Sequence, residues 1–600
     1  WAATLVEMVR QSFNLPSGGW AGDITTKFIL AFFALLPPTL LSGAAFPFAV
    51  RAVSGVGHTA RDVGRLYAAN TLGGVLGAAA GGFVVIPLLG THAGVVVLSA
   101  GLTLVALLAL GRTLPGPLPA RAAVPVAGAL AWVLVWWQAP ADVNAVLATG
   151  YLPEDHRIIH YAEGTEGTVA VSEPRDTTDG RDRVLWINRV QATTSIEKGV
   201  RMNRLQGALP LLFAQEPERV LFMCFGSGIT AGTLGLTEFE RIDAVEIVPE
   251  VIDAAPLFAR DNLGVADNAR LRFMVDDGRN FLLTTEQRYD VITFEPMPLA
   301  VSGVAAFYTR EYYQHCLARL RPGGLVSQWV PFHSLNPELV RALVYTFTQV
   351  FPHYCAWFIN ADLFLIGSNE PLRIDYAAAQ RRLAPPALQD ALQESGFHDL
   401  PELLAHFAMD ARQVDRFAAG GRLLTDDRPW AEFEAPKLVY EREIVPSLKA
   451  LAPLAQSPTV LMDRTETPEA AWAALERRAR AREQDLRAQM AYYGGMAVGT
   501  EAADGFFASL TIDPENENAR FYLRQILPDQ VGRMLQWEEW DAAIELLTRA
   551  QPHMPDYHAL HLWLGDAHYG AGQMEAAAAQ YRAYLEAGGD RPRARERART

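Results

Sequence analysis

Arg219-Val-Leu-Phe-Met-Cys-Phe-Gly-Ser-Gly-Ile-Thr-Ala-Gly232 is the stretch that decides the fold. Its first half is an unbroken apolar run, as a strand buried on both faces requires. It passes straight into Gly226-Ser227-Gly228 and then into a helical pattern. Glycines at a strand-to-helix turn let the backbone approach a ligand with no Cβ in the way, and the helix start offers unpaired N–H groups. Two glycines after a strand are common, so the weight falls on the spacing of the next three strands. A second strand, Arg241–Glu246, ends in an acid about 20 residues past the turn, placed to accept hydrogen bonds from both ribose hydroxyls of an adenosyl group. A third, Leu271–Val275, ends in Asp276-Asp277-Gly278, whose carboxylates are placed to meet an adenine amino group. A fourth, Tyr289–Phe294, ends in Glu295-Pro296. Any one acid reads equally well as a solvated cap. Three acids at three successive strand ends fit one crevice at the carboxyl edge of a parallel α/β sheet.

Upstream, the composition changes. Residues 27–139 carry very few charges, whereas 140–600 read as an ordinary soluble chain. Four apolar stretches, 27–50, 66–89, 93–111 and 123–139, approach the roughly 20 residues that a membrane-spanning helix needs. Pro37, Pro38 and Pro47 in the first are tolerated within a bundle. In the second, Gly73, Gly77 and Gly81 lay a smooth face along one side of a helix, which predicts close approach of a neighbour. Arg51, Arg61 and Arg65 follow the first stretch and Arg112 and Arg121 follow the third, while Gly90–His92 has no lysine or arginine. The positive-inside rule puts both arginine loops in the cytoplasm. If all four stretches span, everything after Ala139 is periplasmic; if the short fourth lies in the interface, the soluble part is cytoplasmic, where an adenosyl cofactor is made. Beginning at Trp1 with no signal-peptide pattern, the sequence reads as a piece of a longer chain with further helices upstream.

The 600 residues exceed one hydrophobic core. The divisions are 1–26, a lead-in; 27–139, transmembrane helices; 140–217, a β-hairpin subdomain; 218–370, the nucleotide-binding domain; 371–450, a helical cap broken at Leu424-Thr-Asp-Asp-Arg-Pro-Trp430; and 451–600, helical repeats. In the last, Trp540-Asp-Ala-Ala-Ile and Met574-Glu-Ala-Ala-Ala recur at 34 residues, with Leu547 matching Tyr581, Leu564-Gly565 at the small-residue contact and Pro555 at the closing position, a tetratricopeptide pattern. A third repeat is expected around Pro514. Such helix pairs offer a protein-binding face. A net charge of −15 argues against nucleic acid as a partner. Three separated cysteines, Cys224, Cys316 and Cys355, exclude a disulfide framework and read as small buried residues. His558 and His561 form an HxxH that nothing completes, so no metal is expected.

Phe225-Gly-Ser-Gly-Ile-Thr, Val245-Glu-Ile, Asp277-Gly-Arg-Asn-Phe, Tyr289-Asp-Val-Ile, Phe307-Tyr-Thr-Arg-Glu-Tyr-Tyr and Leu320-Arg-Pro-Gly-Gly-Leu-Val-Ser-Gln-Trp329 together resemble the spermidine synthase family. Gly167–Val171 and Val184–Gln191 resemble its N-terminal β-hairpins. Leu35-Leu-Pro-Pro-Thr-Leu-Leu-Ser-Gly and Gly64-Arg-Leu-Tyr-Ala-Ala-Asn-Thr-Leu-Gly resemble bacterial proteins that fuse a transporter-like bundle to such a domain. The resemblance implies a Rossmann-like fold and transfer of an aminopropyl group from decarboxylated S-adenosylmethionine, or chemistry on S-adenosylmethionine itself. By position it assigns Gly226, Gly228, Glu246 and Asp277 to the adenosyl ligand, with Ser227, Asp276 and Gly278 beside them, and Gln191 and Gln328 to the acceptor pocket, with Glu295 as the base; Tyr308, at the start of the helix after the Glu295 loop, is placed to close over the acceptor. The departures lie on the acceptor side. The family's second aspartate, three positions on, is Pro298; its glycine-loop aspartate is Ser227; and its upstream Tyr and Glu are not evident in Gly199–Gln206. The expectation is a multi-pass protein of the bacterial cytoplasmic membrane, with an S-adenosyl-dependent transferase domain. The competing reading is an inactive scaffold of the same fold that binds partner proteins, and the oligomeric state is left open. A transporter role ranks third, because the four stretches hold no buried charge.

Overall fold

The computed structural model describes residues 19–53, 59–113, 126–130, 132–134, 152–177, 180–213, 218–439, 443–495 and 500–598. The apolar region forms α1 (Trp20–Val53), α2 (Thr59–Ala80), a π-helical turn (Gly81–Val85) and α3 (Ile86–Thr113). Gly90, at φ 74° and ψ 165°, breaks α3 near its start. The chain doubles back there: a Cβ on Gly94 would lie 2.8 Å from Val85 Cγ1, whereas nine residues of unbroken helix would separate them by about 13 Å. The break falls at the connection expected between the second and third apolar stretches. Only 126–130 and 132–134 of the fourth are described; both are helical, and the Trp132 indole donates to Ser99 Oγ at 3.1 Å. Trp20–Ala52 and Ala60–Leu108 are long and apolar enough to cross a membrane. Their large side chains face outward, Phe28 at 68%, Leu41 at 73% and Leu88 at 76% exposed. Among the described residues nothing lies on the glycine face where a neighbour is expected: a Cβ at Gly73, Gly77 or Gly81 would meet no described atom within 4 Å.

Four antiparallel strands follow in the order β1 (His156–Glu163), β2 (Thr168–Pro174), β3 (Val184–Ile187) and β4 (Val190–Thr194). The β3–β4 turn, Asn188-Arg189, has both residues left-handed (φ 49° and 71°), the two-residue geometry whose twist suits a hairpin. The tip of the α2–α3 hairpin rests on β1: the Thr91 amide donates to Glu163 Oε2 at 2.7 Å, and the hydroxyls of Thr91 and Tyr161 also donate to that carboxylate.

After α4 (Glu197–Ala208) come β5 (Arg219–Met223), α5 (Ile229–Gly235), β6 (Arg241–Glu246), α6 (Pro249–Ala254), β7 (Leu271–Val275), α7 (Gly278–Thr284), β8 (Tyr289–Phe294), α8 (Arg310–Ala318), β9 (Leu320–Pro331), α9 (Pro337–Thr348), β10 (His353–Ile359), β11 (Asp362–Ser368) and β12 (Phe407–Met409). The sheet order is β12-β10-β11-β9-β8-β5-β6-β7. The run β9-β8-β5-β6-β7 is parallel throughout, and Val220 and Phe222 enter one apolar cluster while Leu221 and Met223 enter the one on the opposite face. That two-sided burial is why the sequence runs apolar without alternation. The sheet is Rossmann-like but mixed, not wholly parallel: β11 and β10 return antiparallel beside β9. Their turn, Asn360-Ala361, is left-handed at both residues (φ 52° and 69°) and lacks the glycine that would have signalled it. The added strand β12 lies within 371–450, a region that the sequence predicts to be helical apart from the break at Leu424–Trp430.

α10 (Trp430–Leu438) packs against the segment that follows β8, and α11 (Glu469–Tyr493) joins the sheet domain to α12 (Glu501–Ile512) and α13 (Glu517–Gln536). The joint is polar and buried. Arg482 donates to the Ala405 and Phe358 carbonyls, both at 2.8 Å, and Asp485 accepts from Asn516 and Asn518 at 3.0 and 3.1 Å. α13 pairs with α14 (Trp540–Ala550), and α15 (Ala559–Gly570) with α16 (Met574–Glu586), giving two repeats. Gly565 fills the small-residue role, since a Cβ there would lie 2.6 Å from the Tyr581 ring. The segment around Pro514 is the entry to α13, not a separate repeat.

Candidate active site

The strand order reverses at β5, whose neighbours are β6 and β8, so the loops leaving their carboxyl ends diverge and open a crevice. A cavity of about 370 Å³ occupies it. On its floor the turn after β5 holds Gly226 and Gly228 at φ 58° and 78°; at Gly228 a Cβ would come within 2.5 Å of the Phe225 ring. Glu246, at the end of β6, fixes this turn. Its carboxylate accepts the Phe225 amide at 2.9 Å and the Val248 amide at 3.0 Å. Burial pushes its pKa up, against those N–H groups. Asp277 caps α7 by accepting the Asn280 amide at 2.8 Å, and Asp276 accepts the Asp277 amide at 2.8 Å. The two acids therefore serve as local caps and line the cavity at once.

Glu295 stands at the end of β8. Thr230 of α5 hydrogen-bonds its carboxylate, and burial, only partly offset by that hydroxyl, raises its pKa to about 7. A carboxyl poised near neutrality in a cavity wall can take a proton from an attacking nucleophile. Cys224, on the same wall at φ 61°, is held as the thiol by burial and by the nearby Glu246, Glu295 and Asp277. Beyond Glu295 the wall turns apolar, with Met202, Met297, Val301, Val304, Phe307 and Trp329. Part of this wall is braced from outside: Glu432 of α10 accepts the Ser302 hydroxyl at 3.0 Å and the Gly303 amide at 2.7 Å. Arg279 pairs with Asp426 at 2.7 Å, which joins the Leu424–Trp430 break to α7.

Of the residues assigned from the sequence to donor, acceptor or base, Gly226, Glu246, Asp276, Asp277, Gly278 and Glu295 meet in the cavity wall. The others lie outside it. Ser227 is buried behind the turn, and Gly228 is the N-cap of α5. Gln191 is exposed on β4. Tyr308 donates to the Trp329 carbonyl at 3.2 Å; Gln328 donates to the same carbonyl at 2.7 Å and accepts from Tyr313 at 3.0 Å. The neighbours Phe307 and Trp329 line the cavity instead. On β9 successive side chains point to opposite faces, so Gln328 faces the core where Trp329 faces the cavity, and in the 3-10 turn Val304–Tyr308 the tyrosine is buried behind Phe307. Cys224, which composition alone makes a core residue, belongs to the wall; its place at a strand end beside the glycine turn is the signal for it. His333 lies 3.8 Å from the buried Asp362, which also accepts the Trp329 indole N–H at 2.9 Å. His561 Nδ1 lies 2.8 Å from Gln580 Oε1, and among the described residues no three metal-ligating side chains converge.

The family described as spermine/spermidine synthase domain matches residues 202–361, and that described as tetratricopeptide repeat matches 535–596. Polyamine aminopropyltransferase 2 of Pseudomonas aeruginosa is 28% identical over 293 residues, 45% of this chain and 79% of that protein. Polyamine aminopropyltransferase 1 of the same organism is 32% identical over 158 residues, 26% of this chain and 54% of that protein, so only about half its length is spanned. A probable spermidine synthase from Corynebacterium glutamicum, whose crystal structure is known, aligns at 19% identity over 45% of this chain and 97% of that one, with a TM-score of 0.34. The chain thus carries a spermidine synthase-type domain followed by tetratricopeptide repeats.

Proposed function

We propose that this domain is a membrane-anchored S-adenosyl-dependent transferase of the aminopropyltransferase type, with decarboxylated S-adenosylmethionine or S-adenosylmethionine as donor substrate. The observation that carries the reading is the division of one cavity into an acidic adenosyl end, Gly226, Glu246, Asp276 and Asp277, and a single near-neutral carboxyl, Glu295, at the transfer end. The residues fit such a donor: the left-handed Gly226 leaves the turn open to the cavity, and the carboxylates suit ribose hydroxyls and an adenine amino group. The donor supplies a carbon activated by its bond to a sulfonium. Glu295 orients the acceptor nitrogen and takes its proton, and the apolar wall excludes water that would compete. Membrane anchoring is supported by the length and outward apolar surface of Trp20–Ala52 and Ala60–Leu108, and we place the protein in a bacterial cytoplasmic membrane. The test is equilibrium binding of both nucleosides to the full chain, followed by transfer assays with Glu295→Gln. Absence of any nucleoside affinity would remove the reading.

One observation favours a second reading, a non-catalytic scaffold outside the cytoplasm. The Gly90–His92 tip touches β1, whereas Arg51, Arg61, Arg65 and Arg112 sit toward the opposite ends of α1–α3. By the positive-inside rule the soluble domain then faces away from the cytoplasm. Single cysteines at Ala60 and at Glu469, labelled with a membrane-impermeant maleimide in intact cells, distinguish the two readings. Labelling at Glu469 alone favours the scaffold.

A further inference from the structure

We propose that the α2–α3 hairpin holds the donor end of the cavity in shape, with Glu163 as the positioning residue through which it does so. Donor affinity then depends on a contact outside the cavity, between the hairpin tip and the β1–β2 turn. The identity of the donor rests on the transferase reading.

The β1–β2 turn is closed and wedged on three sides. From Glu163 to Thr168 the chain reads Glu-Gly-Thr-Glu-Gly-Thr, and the Gly164 amide donates to the Gly167 carbonyl at 2.8 Å. On one side Glu163 accepts the Thr91 amide at 2.7 Å, together with the hydroxyls of Thr91 and Tyr161. Gly90 lets the tip come this close: its φ is 74°, and a Cβ there would lie 3.3 Å from Glu163 Oε1. On the second side a Cβ on Gly164 would run into the Glu250 carboxylate of α6. On the third the Thr168 amide donates to Asn188 Oδ1 at 2.9 Å, and a Cβ on Gly167 would lie 3.1 Å from that side chain. Packing this close transmits displacement, so a shift of Glu163 is passed to its neighbours.

Those neighbours belong to the donor end. Glu166 of the turn, with Ile187 and Asn188 beside it, lines the same cavity as Glu246, Ile247 and Val248. α6, on which the turn packs, starts at Pro249, directly after Val248, and the Val248 amide is one of the two that Glu246 accepts. The route from the hairpin thus runs from Thr91 to Glu163 and the turn. From there it goes either straight to Glu166, or through Glu250 and α6 to the strand end that carries Glu246. Neither branch passes through Glu295 or the Met297–Phe307 wall, so the hairpin bears on the donor and not on the acceptor. Coupling of this kind is reciprocal. A hairpin contact that favours donor binding must itself be tightened, by the same factor, when the donor is bound.

The experiment uses the full chain in lipid nanodiscs, with decarboxylated S-adenosylmethionine as the probe. Calorimetry should show donor affinity at least tenfold weaker for Glu163→Ala. It should be at least threefold weaker for Thr91→Val, which keeps the amide and loses the hydroxyl, and return to the parent value in Thr91→Ser. In the parent, saturating donor should slow hydrogen exchange of the Thr91 amide at least threefold, an effect lost in Glu163→Ala. Parent affinity in Glu163→Ala, a loss in Thr91→Ser as large as in Thr91→Val, or Thr91 exchange in the parent indifferent to donor would each overturn the inference. The exchange measurement on the parent stands whether or not the variants fold. It also separates two failures. No donor binding by the parent removes the transferase reading, whereas donor binding that leaves Thr91 exchange unchanged removes only the role of the hairpin.

Discussion

Glu295→Gln should make the protein more stable at pH 8 while removing its activity. The carboxyl is raised from its ordinary 4.5 to about 7 because the cavity wall desolvates it, and the Thr230 hydroxyl compensates only in part. At 1.36 kcal/mol per tenfold, that displacement disfavours the ionised form by roughly 3 kcal/mol, and partial access to solvent brings the working figure to about 1–3 kcal/mol. Linkage gives the sign. Between 4.5 and 7 the folded chain holds a proton that the unfolded chain has released, so stability falls as pH rises across that window and is level above it. Glutamine cannot ionise and escapes the loss. Thermal unfolding of parent and variant at pH 4.5 and at pH 8 should therefore show a small gap at the lower pH and a larger one, in favour of the variant, at the higher. Transfer should fall by a factor of about 100 or more, as expected for loss of a general base. An equal gap at both pH values, or a variant less stable than the parent at pH 8, would refute the burial argument and with it the assignment of Glu295 as a near-neutral base.

Glu246→Gln should weaken nucleoside binding at least tenfold and cost about 1–3 kcal/mol of stability, because one of two buried amides, Phe225 at the glycine turn and Val248 after β6, loses a carboxylate acceptor; calorimetry and thermal unfolding report the two effects separately. Glu432→Ala should release the Ser302–Gly303 segment, seen as faster amide exchange at Gly303 and a raised KM with little change in nucleoside affinity. Glu163→Ala should speed exchange of the Thr91 amide, and no change there would mean that the hairpin tip is held by other contacts. Gly565→Val should destabilise the repeats by about 2 kcal/mol or more, since its Cβ would enter the Tyr581 ring.

The parts of the fold that could be read from sequence are those with strong periodicity. The strands Arg241–Glu246, Leu271–Val275 and Tyr289–Phe294 have the bounds that their apolar runs gave, and the acids at their ends do line one cavity. The break at Gly90 and the 34-residue repeat were legible for the same reason. What escaped reading depends on contacts remote in sequence. The β10–β11 return turns on Asn360-Ala361, a pair without the usual glycine. The acceptor wall is set by which face of β9 points inward, so Trp329 and not Gln328 reaches it. The external brace from Glu432 spans more than a hundred residues and has no local signature. The glycine face of α2 anticipated a neighbour that none of the described residues provides.

α4 has two duties that bear on one another. Met202 on this helix is part of the cavity wall. Its neighbour Arg201 is buried on the other side, 3.3 Å from Asn518 Oδ1 and stacked over the rings of Phe397 and Phe521, and Glu197 pairs with Arg524 of α13 at 2.9 Å. A guanidinium so enclosed cannot be left behind when its partners move, because an unpaired buried charge costs several kcal/mol. The repeats are thus a lever with its fulcrum at α4. A partner that gripped the repeats and displaced α13 would load this helix, whose Met202 stands in the chamber wall.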